Sequence, residues 1–269
     1  MYLHPTYAVT ADREPLGVLD AWMWAREKRG ADGVRPGLIE SKRWVEGYQR
    51  VAEMAAGMPD TRLVYVADRE ADMVEMLRCA RDLCTPADWL VRAKHNRCLP
   101  DEDGAKLWEA TTSGAPLGEI TFAIGSRKNQ KGRTVRQQLW ASEVEIEDGA
   151  KGRITVTCVV AREVDAPLGV KPIERRSLTN RVVATQEQAV ELIDWYRARW
   201  EIEIYVHVLK DGCEVGALQL SSIERLERAL ALFMVVAWRI TYLMRKGRTC
   251  PDLAASLTFD LTRSAAPTC

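Results

Sequence analysis

Apolar positions change their spacing along the chain, and each change predicts a different element. PTYAVTA and PLGVLDAWMWA, separated by the polar DRE, read as two strands. SKRWVEGYQRVAEMAAG places Trp44, Val45, Tyr48, Val51, Met54 and Ala55 at helical spacing and stops at Gly57. RLVYVADRE is a short run rich in β-branched residues that ends at Asp68. Because it is apolar on both faces, it predicts a central, buried strand. ADMVEMLRCARDL predicts the next helix and ADWLVRAKH another strand, which is an α/β order.

From about Leu99 to Val170 the texture becomes alternating. EITFAIG, RQQLWASEVEIE and RITVTCVVARE predict a β-rich block whose turn, SRKNQKGRTVR, holds the densest basic cluster of the chain. After Thr185 the pattern is helical. TQEQ fits a capping box with Gln in the acid's place, and the helix is predicted to run through Glu203 towards Lys210 and end at Gly212. SSIERLERALALFMVVAWRITYLMRKG predicts a second long helix, from Ser221 or Ser222 to Gly247. The expected division is residues 1–98, 99–184 for the β-rich block, 185–248 for the helices, and 249–269 as a tail without pattern.

Composition adds limits. Apolar residues at 47% and charged residues at 28% describe a chain that buries a core. Lysine plus arginine and aspartate plus glutamate each number 38, so a whole-surface basic field is excluded and a polyanion must be held by local patches. The seven cysteines form no C-x-x-C pair and read as reduced thiols. ALALFMVVAW is too short to span a bilayer, and the N-terminal residues lack the basic region of a signal peptide. A soluble, cytoplasmic protein with no membrane partner is expected.

Candidate chemistry sits in two places. In YRARWEIEIYVHVLKDG, an unbroken helix would bring Tyr196, Arg199, Glu203 and Lys210 into a stripe about 60° wide. Such a stripe serves either as a solvated face laced by side-chain pairs or as a site for phosphate and metal. Asp68, at a strand end, faces the crevice where α/β proteins bind ligands. Asp68 with Glu203 is a donor pair suited to Mg²⁺ or Mn²⁺, and such a site can run two-metal phosphoryl transfer. D-R-E-A-D serves equally well as a helix start, with Asp68 or Asp72 near the N-terminal dipole.

VADREAD, the β-rich stretch after it, and Y-x-x-R-W-x-I-E-x-x-x-x-x-x-K-x-G-C together resemble the DDE transposases of bacterial insertion sequences. The resemblance is to the IS-four group, relatives of the Tn-five transposase, with its Tyr-Arg-Glu-Lys signature. It extends from PTYAVTADREPLGVLDAWMWAR through WLVRAKHNR to the helix ending in LMRKG. It implies an α/β fold with a ribonuclease-H-like core interrupted by a β-rich insertion, and long C-terminal helices. Asp68 is then the second acidic metal ligand and Glu203 the third. Tyr196, Arg199 and Lys210 would contact phosphates near the transposon end, with Arg92 and Lys94 as further DNA contacts.

The implied cofactor is a divalent ion, Mg²⁺ or Mn²⁺. The implied partners are DNA (transposon ends and target) and a second copy or a full-length transposase. In the basic turn, Lys128, Lys131 and Arg133 are expected either to touch DNA phosphates or to form a solvated hairpin tip.

The chain also departs from the pattern. The first acidic ligand of such enzymes lies on a strand ahead of the one matching PTYAVTA, so it is expected outside this sequence, as is the N-terminal DNA-recognition region. The fragment is therefore expected to be inactive alone. IERRSLTN puts Arg175 where relatives carry a base-stacking Trp, and Gly216 replaces a usual acid. Two successive arginines in a core strand would be costly to bury unpaired. Other readings are an inhibitory module that binds DNA or transposase, a remnant of a decayed gene, and a ribonuclease-H-like nuclease needing only two carboxylates.

Overall fold

A computed structural model describes residues 2–24, 41–100, 104–126, 131–149 and 152–258. In chain order the elements are β1 (Tyr2–Val9), β2 (Pro15–Trp24), α1 (Lys42–Ala56), β3 (Val64–Ala67), α2 (Val74–Asp82), β4 (Asp88–Arg92) and α3 (Leu107–Thr112). They continue with β5 (Gly118–Ile124), β6 (Arg133–Glu147), β7 (Arg153–Val164), β8 (Glu174–Thr179), α4 (Gln186–Ala198), α5 (Trp200–His207) and α6 (Ile223–Thr249). The chain divides into two compact units. One is built from Trp24–Arg199, the other from Leu3–Met23 together with the residues from Trp200 onward.

The first unit is organised by a six-stranded mixed sheet in the order β3-β4-β8-β7-β6-β5. β3 and β4 are parallel, with Ala67 opposite Val91, and α2 lies in the crossover that a parallel pair requires. The remaining neighbours are antiparallel, so the alternating segments continue the sheet that β3 and β4 begin.

β3, expected to be central, is an edge strand among the described residues. Its apolar character has another cause: both of its faces are covered. Tyr65 and Ala67 enter the core formed with α1 and α2, while Val64 and Val66 pack against the core beneath α4.

β7 shows the same division. Ile154, Val156, Cys158 and Val160 enter the first core, with Tyr48, Met76, Trp89 and Leu107. Val159 and Ala161 enter the second, where α4 contributes Ala189 and Leu192. The capping box forms as the sequence predicts. Thr185 Oγ1 accepts from the Gln188 N–H at 3.3 Å, and Gln188 Oε1 accepts from the Thr185 N–H at 3.2 Å.

The second unit contains the two-stranded β1–β2 sheet, α5 and α6. Tyr7 stacks on Tyr205 with ring centroids 4.5 Å apart, and the Tyr205 hydroxyl donates to the Met234 carbonyl at 3.3 Å. Trp238 Nε1 donates to the Pro15 carbonyl at 3.2 Å. Ser222 caps α6, which continues past Gly247. The ALALFMVVAW segment divides by face. Leu230, Met234 and Ala237 are buried, whereas Leu232 and Val235 are exposed. No helix among the described residues is long and apolar enough to cross a membrane. The six described cysteines are free thiols.

The single helix expected from Gln186 to Lys210 is interrupted. α4 stops at Ala198, Arg199 forms a turn whose N–H donates to Tyr196 O at 3.3 Å, and α5 starts afresh at Trp200. Val208–Gly212 is a π turn, closed by the Cys213 N–H on Val208 O at 2.9 Å.

β4 and β8 are joined at one end by side chains. Asn180 Oδ1 accepts from the Trp89 N–H at 2.7 Å, and Asn180 Nδ2 donates to Asp88 at 2.8 Å. Removing Asn180 strands a strand-end amide, which costs about 1–3 kcal/mol. Asn180→Ala is expected to lower the urea midpoint, with the unfolding free energy falling by that amount, followed through tryptophan fluorescence. An unchanged midpoint would mean that water replaces the amide.

Candidate active site

The parallel register of β3 on β4 carries both strands to one end of the sheet, and Asp68 is the first residue beyond β3. It caps a short 3₁₀ turn, Arg69–Ala71, by accepting from the Arg69 N–H at 2.5 Å. The helix-start reading of D-R-E-A-D is therefore satisfied by one oxygen of Asp68. The other has no partner among the described residues and is available to a ligand.

Asp72 does different work. Its carboxylate is buried, accepts from the backbone N–H groups of Lys94 at 2.6 Å and His95 at 2.9 Å, and pairs with Arg97 at 2.6 Å. It clamps the chain after β4 and leaves the Lys94 ammonium exposed.

Arg92 closes β4 opposite Ser177 of β8. Directly opposed residues share a face of the sheet, so Arg92, Ser177 and Arg175, two residues from Ser177, lie on the side covered by α4. Tyr196 reaches this place from the last turn of α4. Burial pushes its phenol pKa up, Arg199 pulls it down, Asp68 raises it again, and Arg92 lowers it. The net shift is upward, so Tyr196 is a neutral O–H donor at pH 7. The Arg199 guanidinium lies 5.9 Å from the Tyr196 ring centroid, at the limit of a cation–π contact. The first unit thus brings Asp68, Arg92 and Arg199 each within electrostatic reach of Tyr196.

Glu203 and Lys210 belong to the second unit, on α5 and in the π turn, and both are exposed. The helix break at Arg199 and the π turn mean that a constant 100° per residue does not describe this segment. The stripe read from the sequence is not one uninterrupted α-helical face.

In the basic turn, Lys131 is exposed. Arg133 is held by both oxygens of the buried Glu163, so its charge is already matched. Lys128 lies outside the described residues.

Sequence reasoning missed the separate assignments of the two arginines in IERRSLTN. Arg176 lies over the Trp108 ring at 3.8 Å and pairs with Glu174 at 2.8 Å, which offsets its partial burial. Arg175, on the opposite face, stays exposed. Strand alternation separates the two, and that alternation was the available signal.

Asp68 and Glu203 present hard carboxylate oxygens, the donors that Mg²⁺ and Mn²⁺ take. Among the described residues no group of three or more His, Cys, Asp or Glu side chains gathers into a cage. Compared with known families, residues 42–238 match the model of the transposase DDE domain. That range includes every described residue of the site.

The two aspartates of D-R-E-A-D are expected to respond oppositely to substitution. Asp72→Ala removes the buried carboxylate that holds Arg97 and two backbone N–H groups and should cost about 3–5 kcal/mol in urea unfolding. Asp68→Asn retains a capping oxygen and should shift stability by less than about 0.5 kcal/mol. Equal losses in the two variants would mean that Asp68 is also a structural group.

Proposed function

The chain belongs to the transposase DDE-domain family, and from that premise we propose that it is a DNA-processing protein of the IS-four, Tn-five-like type. The family acts on DNA and normally uses divalent metal ions. The observation that carries the reading is Asp68 at a strand end with Arg92, Tyr196 and Arg199 around it. A carboxylate able to hold a cation stands beside cationic and hydroxyl donors suited to phosphate oxygens. The parallel β3–α2–β4 arrangement with Asp68 at its end supports a ribonuclease-H-like core, with the strands after residue 99 as the β-rich insertion.

In the proposed mechanism Asp68 and, by the family resemblance, Glu203 would each offer a carboxylate to Mg²⁺ or Mn²⁺, and the ion would supply Lewis-acid chemistry at a phosphodiester. Tyr196 donates its O–H to a phosphate oxygen, and Arg199 neutralises charge on the same strand. Lys210 and the exposed Arg92, Lys94 and Lys131 hold further phosphates and set the register of the DNA. Arg133, matched by Glu163, adds little. A two-metal site of this family needs a third carboxylate, and the residues assigned here provide two. With two carboxylates alone, cutting is expected to be inefficient while DNA binding is retained. Groups that act as a unit lose most of their effect when one is missing.

The test combines Mn²⁺ titration, followed by electron paramagnetic resonance, with nicking of a supercoiled plasmid. Asp68→Asn and Glu203→Gln should each weaken Mn²⁺ binding at least about tenfold, the equivalent of roughly 1.4 kcal/mol. The unmodified chain should leave the plasmid intact. Unaltered Mn²⁺ binding by Glu203→Gln would remove Glu203 from the metal site. Efficient nicking by the chain alone would refute its inactivity.

A further inference from the structure

Arg175 stands apart from the other arginines around the site. Among the described residues its guanidinium makes no hydrogen bond or ion pair, and the same holds for Arg92. Arg197, by contrast, pairs with Asp194 at 3.1 Å and lies over the Phe122 ring at 4.9 Å. The register places Arg92 opposite Ser177 and Arg175 opposite Ala161. Arg92 and Arg175 are therefore diagonal neighbours on one face, a relation that sets residues roughly 7–8 Å apart. Like charges so placed repel unless an anion lies between them.

The surface beside them is a shallow recess lined by Val159, Ala161, Arg175, Ser177, Ile193 and Tyr196. Its lining combines the polar residues Arg175, Ser177 and Tyr196 with small or apolar ones.

We propose that Arg175, together with Arg92 and Ser177, is a cradle for one backbone phosphate of a DNA strand, adjoining the Asp68 site. The guanidinium of Arg175 binds the phosphodiester as an ion, Arg92 approaches it from the neighbouring strand, and Ser177 donates its hydroxyl between them. The electrostatics agree. Partial desolvation, followed by repulsion from Arg197 and Arg92, lowers the Arg175 pKa against the opposing effect of Tyr196. A bound phosphate relieves that repulsion. Arg175 is thus a positioning residue that reads the DNA backbone and carries no base information. The inference rests on the DNA-binding reading above.

The test measures binding of the full chain to a fluorescently labelled duplex oligonucleotide of arbitrary sequence, from low to moderate salt, for wild type, Arg175→Gln and Arg175→Lys. Thermal midpoints are recorded without DNA. Arg175→Gln should flatten the slope of log affinity against log salt by about 0.9, the contribution of one phosphate contact to B-form DNA. Its Tm at low salt should be unchanged or higher, since a repulsion has been removed. Arg175→Lys, which keeps the charge, should retain the wild-type slope.

A wild-type slope preserved in Arg175→Gln overturns the cradle and leaves the DNA-binding reading intact. A lowered Tm makes Arg175 a structural group and overturns the cradle as well. A wild-type affinity that ignores salt overturns both.

Discussion

The pairing of β4 with β8, in which Arg92 stands opposite Ser177, is the constraint on which the candidate site depends. β4 is also paired in parallel with β3, so this register aligns Asp68, Arg92 and Arg175 at one end of the sheet and turns the two arginines towards α4. A slip by one residue would send Arg92 to the face that packs against α1 and α2. Asn180 and Thr179 hold the opposite end of the same pair. Thr179 donates to the Trp89 carbonyl at 2.7 Å, while Asn180 takes the Trp89 N–H. The site is thus located by hydrogen bonds that are not part of it.

Charge is arranged locally in a chain whose formal net charge is zero. Several acidic groups are consumed inside the fold: Asp72 by Arg97 and two backbone N–H groups, Glu163 by Arg133. Arg92 and Arg175 lie on the α4 side of the sheet towards the end where Asp68 follows β3. Such an arrangement attracts a polyanion to one place without giving the surface a general affinity for one. It also separates two carboxylates that look alike in the sequence. Asp72 spends its lone pairs on the protein, whereas Asp68 keeps an oxygen for a ligand.

The segment from Tyr196 to Gly212 departs from a regular α-helix at two points, the turn at Arg199 and the π turn at Val208–Gly212. Single π turns recur at functional sites because they redirect side chains that a regular helix would hold at fixed angles. Tyr196 and Arg199 remain coupled within one turn, as their ring contact shows. Beyond Arg199, spacing in the sequence no longer converts into an angle around an axis.

Local information explains what was legible in the sequence. Most of the order of elements from β1 to α6 followed from hydrophobic period, but α3, β8 and the break between α4 and α5 did not. The capping box at Thr185 and the cap at Ser222 followed from side chains that reach only a few residues. Asp68 followed from being the polar residue that ends an apolar strand. Tyr196, Arg199, Glu203 and Lys210 were visible as residue types at fixed spacing, although the helix break and the π turn among them were not.

Other features were decided by contacts between distant segments: β3 at an edge of the sheet, Asp72 as a clamp, Arg133 matched by Glu163, and Arg175 on the face opposite Arg176. Asn180 and Asp88, for instance, meet across 92 residues. Caps and periodicity act within a turn or two of chain and can be read from it. Which strand lies beside which, and therefore which charges are matched and which stay open, is set by the packing of the whole sheet.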